Sequence, residues 1–362
     1  MIRQGRRGAD PMSNFVRGSD PMSEGPRQRP FDAKLMVIDR QRHLHDVPRR
    51  SFIDLLQPGD LVVANDAATL PASLHGTHVP TASPIEVRLA GRGTLAAAEV
   101  SDFVAIVFGA GDFHTRTEHR PPPPLLEVGD RLQLGPLTAT VTSIGDRPRL
   151  VALHFAGSAD AIWAGLARHG RPIQYAHVET PLLLWNVWTP IAGRPVAFEP
   201  PSAGFALDWR TVSALRDRGI GFATITHAAG LSSTGDDEID RQLPFDEAYE
   251  IPESTAAAIA AAKAKGGRLV AIGTTVVRAL EHAGADEGVI RGGGGVANQR
   301  LGPATKLRVV DVILSGVHER GTSHYELLRA FADDITLEQA SQWMATHQYR
   351  SHEFGDSVLI GI

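Results

Sequence analysis

Three places in this chain set polar side chains where an α/β layer offers them to a ligand. Asn65-Asp66 closes the apolar run Leu61-Val-Val-Ala64, Thr226-His227 closes a run that starts at Ile220, and Gly273-Thr274-Thr275 closes Arg268-Leu-Val-Ala-Ile272. In open α/β sheets ligands sit beyond the carboxyl ends of the strands, beside the free N–H groups that open the next helices. Singly, each is an ordinary cap or turn former; three in one layer point to a shared cleft. His227 is the proton carrier of the set, since an imidazole titrates near neutrality and Ala228-Ala229-Gly230 leaves room beside it. A capped strand-end histidine is the competing reading. His318, reached from Val309–Leu314 through Ser315-Gly316-Val317, is expected as a second polar contact. Arg278 lies one turn into the helix that opens at Thr274, placed to anchor an anionic group or an acidic side chain. Its competing reading is a surface ion pair worth under about 1 kcal/mol.

Other chemistries are excluded by what is missing. There is no cysteine, hence no disulfide, thiolate nucleophile or Cys-ligated metal. His318 and His324 are not spaced i,i+4, and no His-Glu-x-x-His occurs, so no metal site is expected. Gly109-Ala-Gly111 resembles half of a dinucleotide fingerprint, but His114 occupies the third glycine position; a hairpin turn is expected there. Gly292 to Gly295 reads as a flexible loop without a Walker lysine. The net charge of −5 gives no global basic field to attract nucleic acid, so an RNA substrate would need a local patch. No apolar run reaches the roughly 18–20 residues of a membrane span, and the N-terminus lacks a signal-type apolar core. A cytoplasmic location is expected.

The elements that would position these residues follow from pattern. Residues 1–30 read as an unpacked tail containing the near-duplicate Arg7-Gly-Ala-Asp-Pro-Met-Ser and Arg17-Gly-Ser-Asp-Pro-Met-Ser, with Met12 or Met22 as alternative starts. Residues 31–71 and 156–362 read as an α/β main domain, and 72–155 as a β-rich, barrel-like domain inserted into it. In the main domain Lys34–Asp39 and Leu61–Ala64 are expected strands, with a short helix over Phe52–Leu56. Asp208 caps a helix over Trp209–Arg218 that Gly219 ends; Ser254 caps an Ala-rich helix ending at Gly266; Thr336 and Gln339 form a capping box. In the inserted segment Ile85–Leu89, Phe103–Phe108, Arg131–Leu134 and Leu150–His154 are expected strands, and Pro121 to Pro124 a stiff surface connection.

Several blocks in this order resemble the S-adenosylmethionine:tRNA ribosyltransferase-isomerases of queuosine biosynthesis. They are Ser51–Asn65 with Leu70-Pro-Ala72, Pro201-Ser-Ala-Gly204, Ile272-Gly-Thr-Thr-Val-Val-Arg-Ala-Leu-Glu281, and Tyr349-Arg350 with Phe354-Gly-Asp356. The resemblance implies an α/β domain carrying an inserted β-barrel. It also implies a transferase/isomerase that uses S-adenosylmethionine as ribosyl donor to a 7-aminomethyl-7-deazaguanine base in tRNA, releasing adenine and methionine. Carried over residue by residue, it implies His227 and His318 as catalytic. Asn65, Asp66, Ser202, Gly204, Thr274, Thr275, Arg278, Tyr349, Arg350 and Asp356 are implied as donor-binding residues, without a metal. The chain departs from the family at Asp66-Ala67-Ala68, Ser73, Ala206 and Phe245-Asp246, where the family carries Asn-Thr-Arg, Arg, His and His-Ser. Arginine losses remove phosphate or carboxylate partners. Two other readings therefore stay open: an S-adenosylmethionine-dependent enzyme acting on a small molecule, and a non-catalytic binding module.

Overall fold

The computed structural model describes residues 33–351 and 354–362, so the expected tail at 1–30 lies outside the described residues. The chain opens with β1 (Lys34–Ile38), β2 (Leu44–Pro48) and, after a 3-10 turn over Arg49–Leu55, β3 (Leu61–Asn65). A two-residue strand, β4 (Ala68–Thr69), leads into six strands. These are β5 (Ser73–His78), β6 (Ser83–Gly91), β7 (Asp102–Phe108), β8 (Arg131–Leu134), β9 (Leu137–Ile144) and β10 (Leu150–Phe155). They close into a barrel in the order β10-β7-β6-β5-β8-β9. Closure leaves no unpaired strand edge. Its core holds Leu74, Val87, Leu89, Val107 and Val151, and Phe103 packs edge-on against both Phe155 and Phe198.

After the barrel come α1 (Ala159–His169) and α2 (Leu184–Val187), then β11 (Pro195–Ala197), which pairs in parallel with β4. The rest of the chain supplies α3 (Trp209–Asp217), β12 (Gly221–His227), α4 (Asp237–Asp240), β13 (Glu247–Ile251), α5 (Glu253–Ala264) and β14 (Leu269–Ile272). It ends with α6 (Thr274–Ala283), β15 (Gly293–Ala297), β16 (Val312–Gly316), α7 (Ser323–Leu328), α8 (Asp334–Thr346) and β17 (Ser357–Ile360).

The nine main strands form one sheet, β15-β13-β12-β3-β14-β16-β17-β1-β2, with a parallel centre of β12, β3, β14 and β16. Parallel strands are buried on both faces, and the sequence obeys this. Leu61 and Val63 of β3 face one core with Leu269 and Ala271; Val62 and Ala64 face the other with Val270 and Ile272. The first core is covered by α5, α6 and α8, through Ile259, Leu280 and Leu337. The second is covered by α3 and the 3-10 turn, through Leu215 and Phe52. The fold is thus an α/β layer with a closed barrel beside it. Among the described residues no helix is long and apolar enough to cross a membrane.

Four local expectations are corrected. Helix α5 starts at Glu253 behind Pro252, so Ser254 lies inside it rather than capping it. The cap of α8 is Asp333, which accepts from the Thr336 N–H; Thr336 is within the first turn. Gly109-Ala-Gly111 is no hairpin, because the chain leaves β7 there and the Gly109 N–H bonds the Pro121 carbonyl at 3.0 Å. Gly293, Gly294 and Gly295 belong to strand β15, paired with β13. A Cβ on Gly295 would sit 2.5 Å from the Tyr249 hydroxyl, so close packing rather than mobility accounts for glycine there.

Candidate functional site

The parallel strands end together, and a small recess lies beyond them. Gly273, between β14 and α6, has φ of 98°, a left-handed conformation that glycine adopts without steric cost. The chain therefore turns directly from strand to helix, bringing Thr274 and Thr275 to the recess wall. No side chain caps α6, so its first-turn N–H groups stay available at this end. Opposite stand Ser315 and Gly316 at the end of β16, Gly230 beyond β12, and Ser202 of the 3-10 turn Ser202–Ala206. His318 completes this wall, its Nε2 hydrogen-bonded to Ser315 Oγ at 3.0 Å and its ring stacked on His324 at 4.6 Å.

One buried ion pair borders the recess. Glu247, at the start of β13, is 6% exposed, and Arg278 of α6 is 3% exposed. Arg278 Nη1 donates to Glu247 Oε2, Nη2 to the Ala297 carbonyl at 2.8 Å, and Nε to the Gln299 carbonyl at 3.0 Å. The Gly230 N–H donates to Glu247 Oε1 at 2.5 Å. Pairing and hydrogen bonding of this kind are what a buried carboxylate requires. Behind it sits His227, fully buried, with Nε2 3.4 Å from Glu247 Oε2 and neither ring nitrogen hydrogen-bonded among the described residues. Burial drives its pKa down to about 4; the Glu247 carboxylate opposes this, and Arg278 adds to it. The imidazole is therefore neutral at pH 7, and it does not line the recess.

The recess, about 80 Å³, opens into a cleft of about 770 Å³. Glu199, Pro200, Ser202, His318, Ser323 and His324 line both. The far wall of the cleft comes from Arg116, Thr117 and Glu118 on the long connection between β7 and β8, so barrel and sheet meet across it. Tyr175 projects into the cleft, and its hydroxyl donates to Glu199 Oε1. No group of three His, Asp or Glu that could hold a metal occurs among the described residues.

The sequence profile of the family described as "Queuosine biosynthesis protein" matches residues 15–360. The chain belongs to that family. Among its relatives, the S-adenosylmethionine:tRNA ribosyltransferase-isomerase of Thermosynechococcus vestitus is 32% identical over 347 residues, covering 92% of this chain and 90% of the relative. The enzyme of the same name from Sorangium cellulosum is 31% identical over 360 residues, covering 93% and 94%. The crystal structure of S-adenosylmethionine tRNA ribosyltransferase from Thermotoga maritima shares the fold, with a TM-score of 0.50 and 20% identity. That match covers 94% of this chain and 96% of the other.

Not all blocks that carry the family resemblance meet at the recess. Ser202, Thr274, Thr275, Arg278 and His318 do. Asn65 instead clamps β3 to β12: Nδ2 donates to the His227 carbonyl at 3.0 Å, and Oδ1 accepts the His227 N–H at 2.9 Å and the Ala67 N–H at 3.1 Å. Asp66 is bonded by the hydroxyls of Thr224 and Thr226, at 2.8 and 2.7 Å, and lines neither cavity. Gly204 is buried against Thr189, where a Cβ would come within 3.0 Å of its methyl. Tyr349 packs in the core over α8. Asp356 accepts the N–H groups of Lys34 and Arg350, at 2.7 and 2.8 Å, and so ties β1 to the last strand. The placement of His227 as the proton carrier facing a ligand is corrected for the same reason: its ring is sealed in, with Glu247 on the recess side.

Sequence reasoning reached only the divergent Phe245-Asp246 block beside Glu247 and passed over Glu199. A signal existed for the second, an acidic residue between Phe198 and the pair Pro200-Pro201, directly ahead of the Ser-Ala-Gly turn. For Glu247 the deciding fact is its pairing with Arg278, 31 residues away.

Proposed function

We propose that the protein is an S-adenosylmethionine-dependent transferase and isomerase. It moves the ribosyl part of the donor onto a 7-aminomethyl-7-deazaguanine base of tRNA, with release of adenine and methionine. The observation that carries this reading is the two-chamber site, a small recess at the strand ends that shares its wall with a cleft of about 770 Å³. That cleft is of the size that encloses a small-molecule ligand. Its open side gives a bulky acceptor access to a donor held inside. The recess presents the donors at the head of α6, with Ser202, Thr274, Thr275 and His318 as the contacts.

The donor's sulfonium acidifies the adjoining ribose carbon and is a good leaving group, so the site needs a base and shelter from water. Glu247 is our candidate for the base, because it lines the recess while His227 does not. Arg278 and the Gly230 N–H fix its orientation. In this reading the catalytic unit is formed by residues 31–71 and 156–362, with 72–155 as an inserted domain whose rim supports the cleft.

Single-turnover assays of adenine release test the proposal, using purified protein, S-adenosylmethionine, and tRNA bearing the aminomethyl base. Release that depends on this tRNA is expected. Release without RNA would favour a small-molecule acceptor. Donor binding without any release would favour a binding module.

A further inference from the structure

A buried imidazole that makes no hydrogen bond calls for an account, because a polar group sealed in without a partner loses its water for nothing. His227 is such a group: it is fully buried, and neither ring nitrogen is hydrogen-bonded among the described residues. The sheet fixes where its ring points. Strands β12 and β13 run antiparallel with His227 opposite Tyr249, so Glu247 is the diagonal neighbour, two residues along on the same face. The ring's Nε2 stands 3.4 Å from Glu247 Oε2. The backbone that presents the ring is held from two strands. Asn65 of β3 accepts the His227 N–H on Oδ1 at 2.9 Å and donates from Nδ2 to the His227 carbonyl at 3.0 Å. On the other side the Ala228 N–H bonds the Ala248 carbonyl at 2.9 Å, next to Glu247.

Glu247 already accepts from Arg278 on Oε2 and from the Gly230 N–H on Oε1. A second cation beside it would bind its charge harder and make it a poorer base, as Arg88 and Arg120 do to Glu86. A neutral N–H orients the same oxygen without adding charge. Burial, which pushes the His227 pKa down to about 4, keeps the ring in that neutral form. Hydrogen bonds that serve catalysis are often long in the empty site and tighten in the ligand complex. We propose that His227 is a positioning residue for Glu247, its Nε2–H closing on Oε2 when ligand fills the recess, and that Asn65 holds it there. Two residues that do not line the recess thereby act on it through one that does. The inference rests on the proposed function. There a Glu247 oxygen takes the proton from the ribose carbon next to the sulfonium, and the C–H electron pair stays on that carbon.

NMR of protein labelled with nitrogen-15 at histidine tests the tautomer, with the His227 signals assigned by their loss in His227→Gln. At pH 7 the ring should be neutral with its proton on Nε2, and saturating S-adenosylmethionine should move that proton downfield. A proton on Nδ1 leaves nothing to donate to Glu247 and overturns the proposal, so this arm carries the test if a variant does not fold. Single-turnover adenine release at saturating S-adenosylmethionine and modified tRNA tests the consequence. His227→Leu removes the donor and should slow release about 10–100-fold, with the Kd for S-adenosylmethionine within about threefold. His227→Gln, which keeps an N–H, should recover part of the rate. Asn65→Ala should show a smaller loss, and adding it to His227→Leu should cost little more, because both act along one path. Losses that multiply overturn the part given to Asn65. A His227→Leu rate within about threefold of wild type, or a loss confined to donor affinity, overturns that given to His227. A wild type that releases no adenine, or a Glu247→Gln protein as fast as wild type, overturns the reading on which this inference rests.

Discussion

Two buried carboxylate–guanidinium clusters lie on either side of the cleft, and they are built for different ends. In the barrel, Glu86 accepts from Arg88, Arg120 and Ser73 Oγ. Burial alone would raise its pKa, but the two guanidiniums outweigh that and hold it down at about 2. None of Glu86, Arg88 and Arg120 lines the recess or the cleft. At the recess, Glu247 has one guanidinium, a backbone N–H and a neutral imidazole around it, and it borders the cavity. A carboxylate with a surplus of cations is a brace. One with a single cation and an open side remains available to a ligand.

The largest effect that separates the two is on turnover. Glu247→Gln should lower single-turnover adenine release by about 10²–10⁴-fold, the usual contribution of a general base. Wild-type turnover in that variant would remove Glu247 from the chemistry and make both clusters braces. Next is stability in urea. Arg278→Ala leaves Glu247 buried without a guanidinium and should cost about 3–5 kcal/mol. Arg120→Ala should cost less, because Arg88 still pairs with Glu86. Equal losses would contradict the single-partner reading.

Acid titration of stability should separate the clusters by pH window. His227 has a native pKa of about 4 against an ordinary 6.5, so between these values the unfolded chain binds a proton that the native state does not. Stability should therefore decline as pH falls from about 6.5 to 4, by about 3 kcal/mol, and His227→Gln should abolish that slope. Glu86 behaves in the usual carboxylate sense, its contribution being intact above about 4.5 and lost as pH falls through about 2. A His227→Gln protein with an unchanged slope above pH 4.5 would reject the assignment. The smallest effect concerns Arg92, 5% exposed beyond β6, whose three guanidinium nitrogens have no hydrogen-bond partner among the described residues. Arg92→Met should be neutral or stabilising within about 1 kcal/mol, since a buried guanidinium that lies over the Trp163 ring at 5.7 Å but makes no hydrogen bond among the described residues is replaced by apolar packing. A clear loss of melting temperature would show that this guanidinium does brace the barrel.

The contrast also explains how far the site could be read from sequence. The recess-lining positions of Thr274 and Thr275 were legible because they follow an apolar run at a strand end, where the direction of the chain alone fixes their position; Arg278 lies one helical turn further on and His318 two residues past β16. Asn65 and Asp66 satisfy the same rule and yet serve as clamps, since the strand β12 beside them offers the His227 backbone and two threonine hydroxyls. Sequence separates a ligand contact from a clamp poorly, because both require a short polar side chain at a strand end. His227 shows the limit most plainly. Its place in the chain was right for a proton carrier, but burial behind Glu247 took it out of reach.

What the sequence determined by itself is the layer of strands and helices. Leu61–Ala64 and Leu269–Ile272 alternate between two apolar cores, and no arrangement but a sheet covered on both faces buries them. It also determined the short strands of the barrel, whose inward residues repeat with period two. What only the tertiary structure decided is which charges meet. Glu247 finds Arg278 across 31 residues, Glu199 finds Tyr175 across 24, and Arg120 finds Glu86 across 34. The reason is physical: apolar periodicity is a local property of the chain, whereas the pairing of buried charges depends on distances set only after barrel and sheet have packed together.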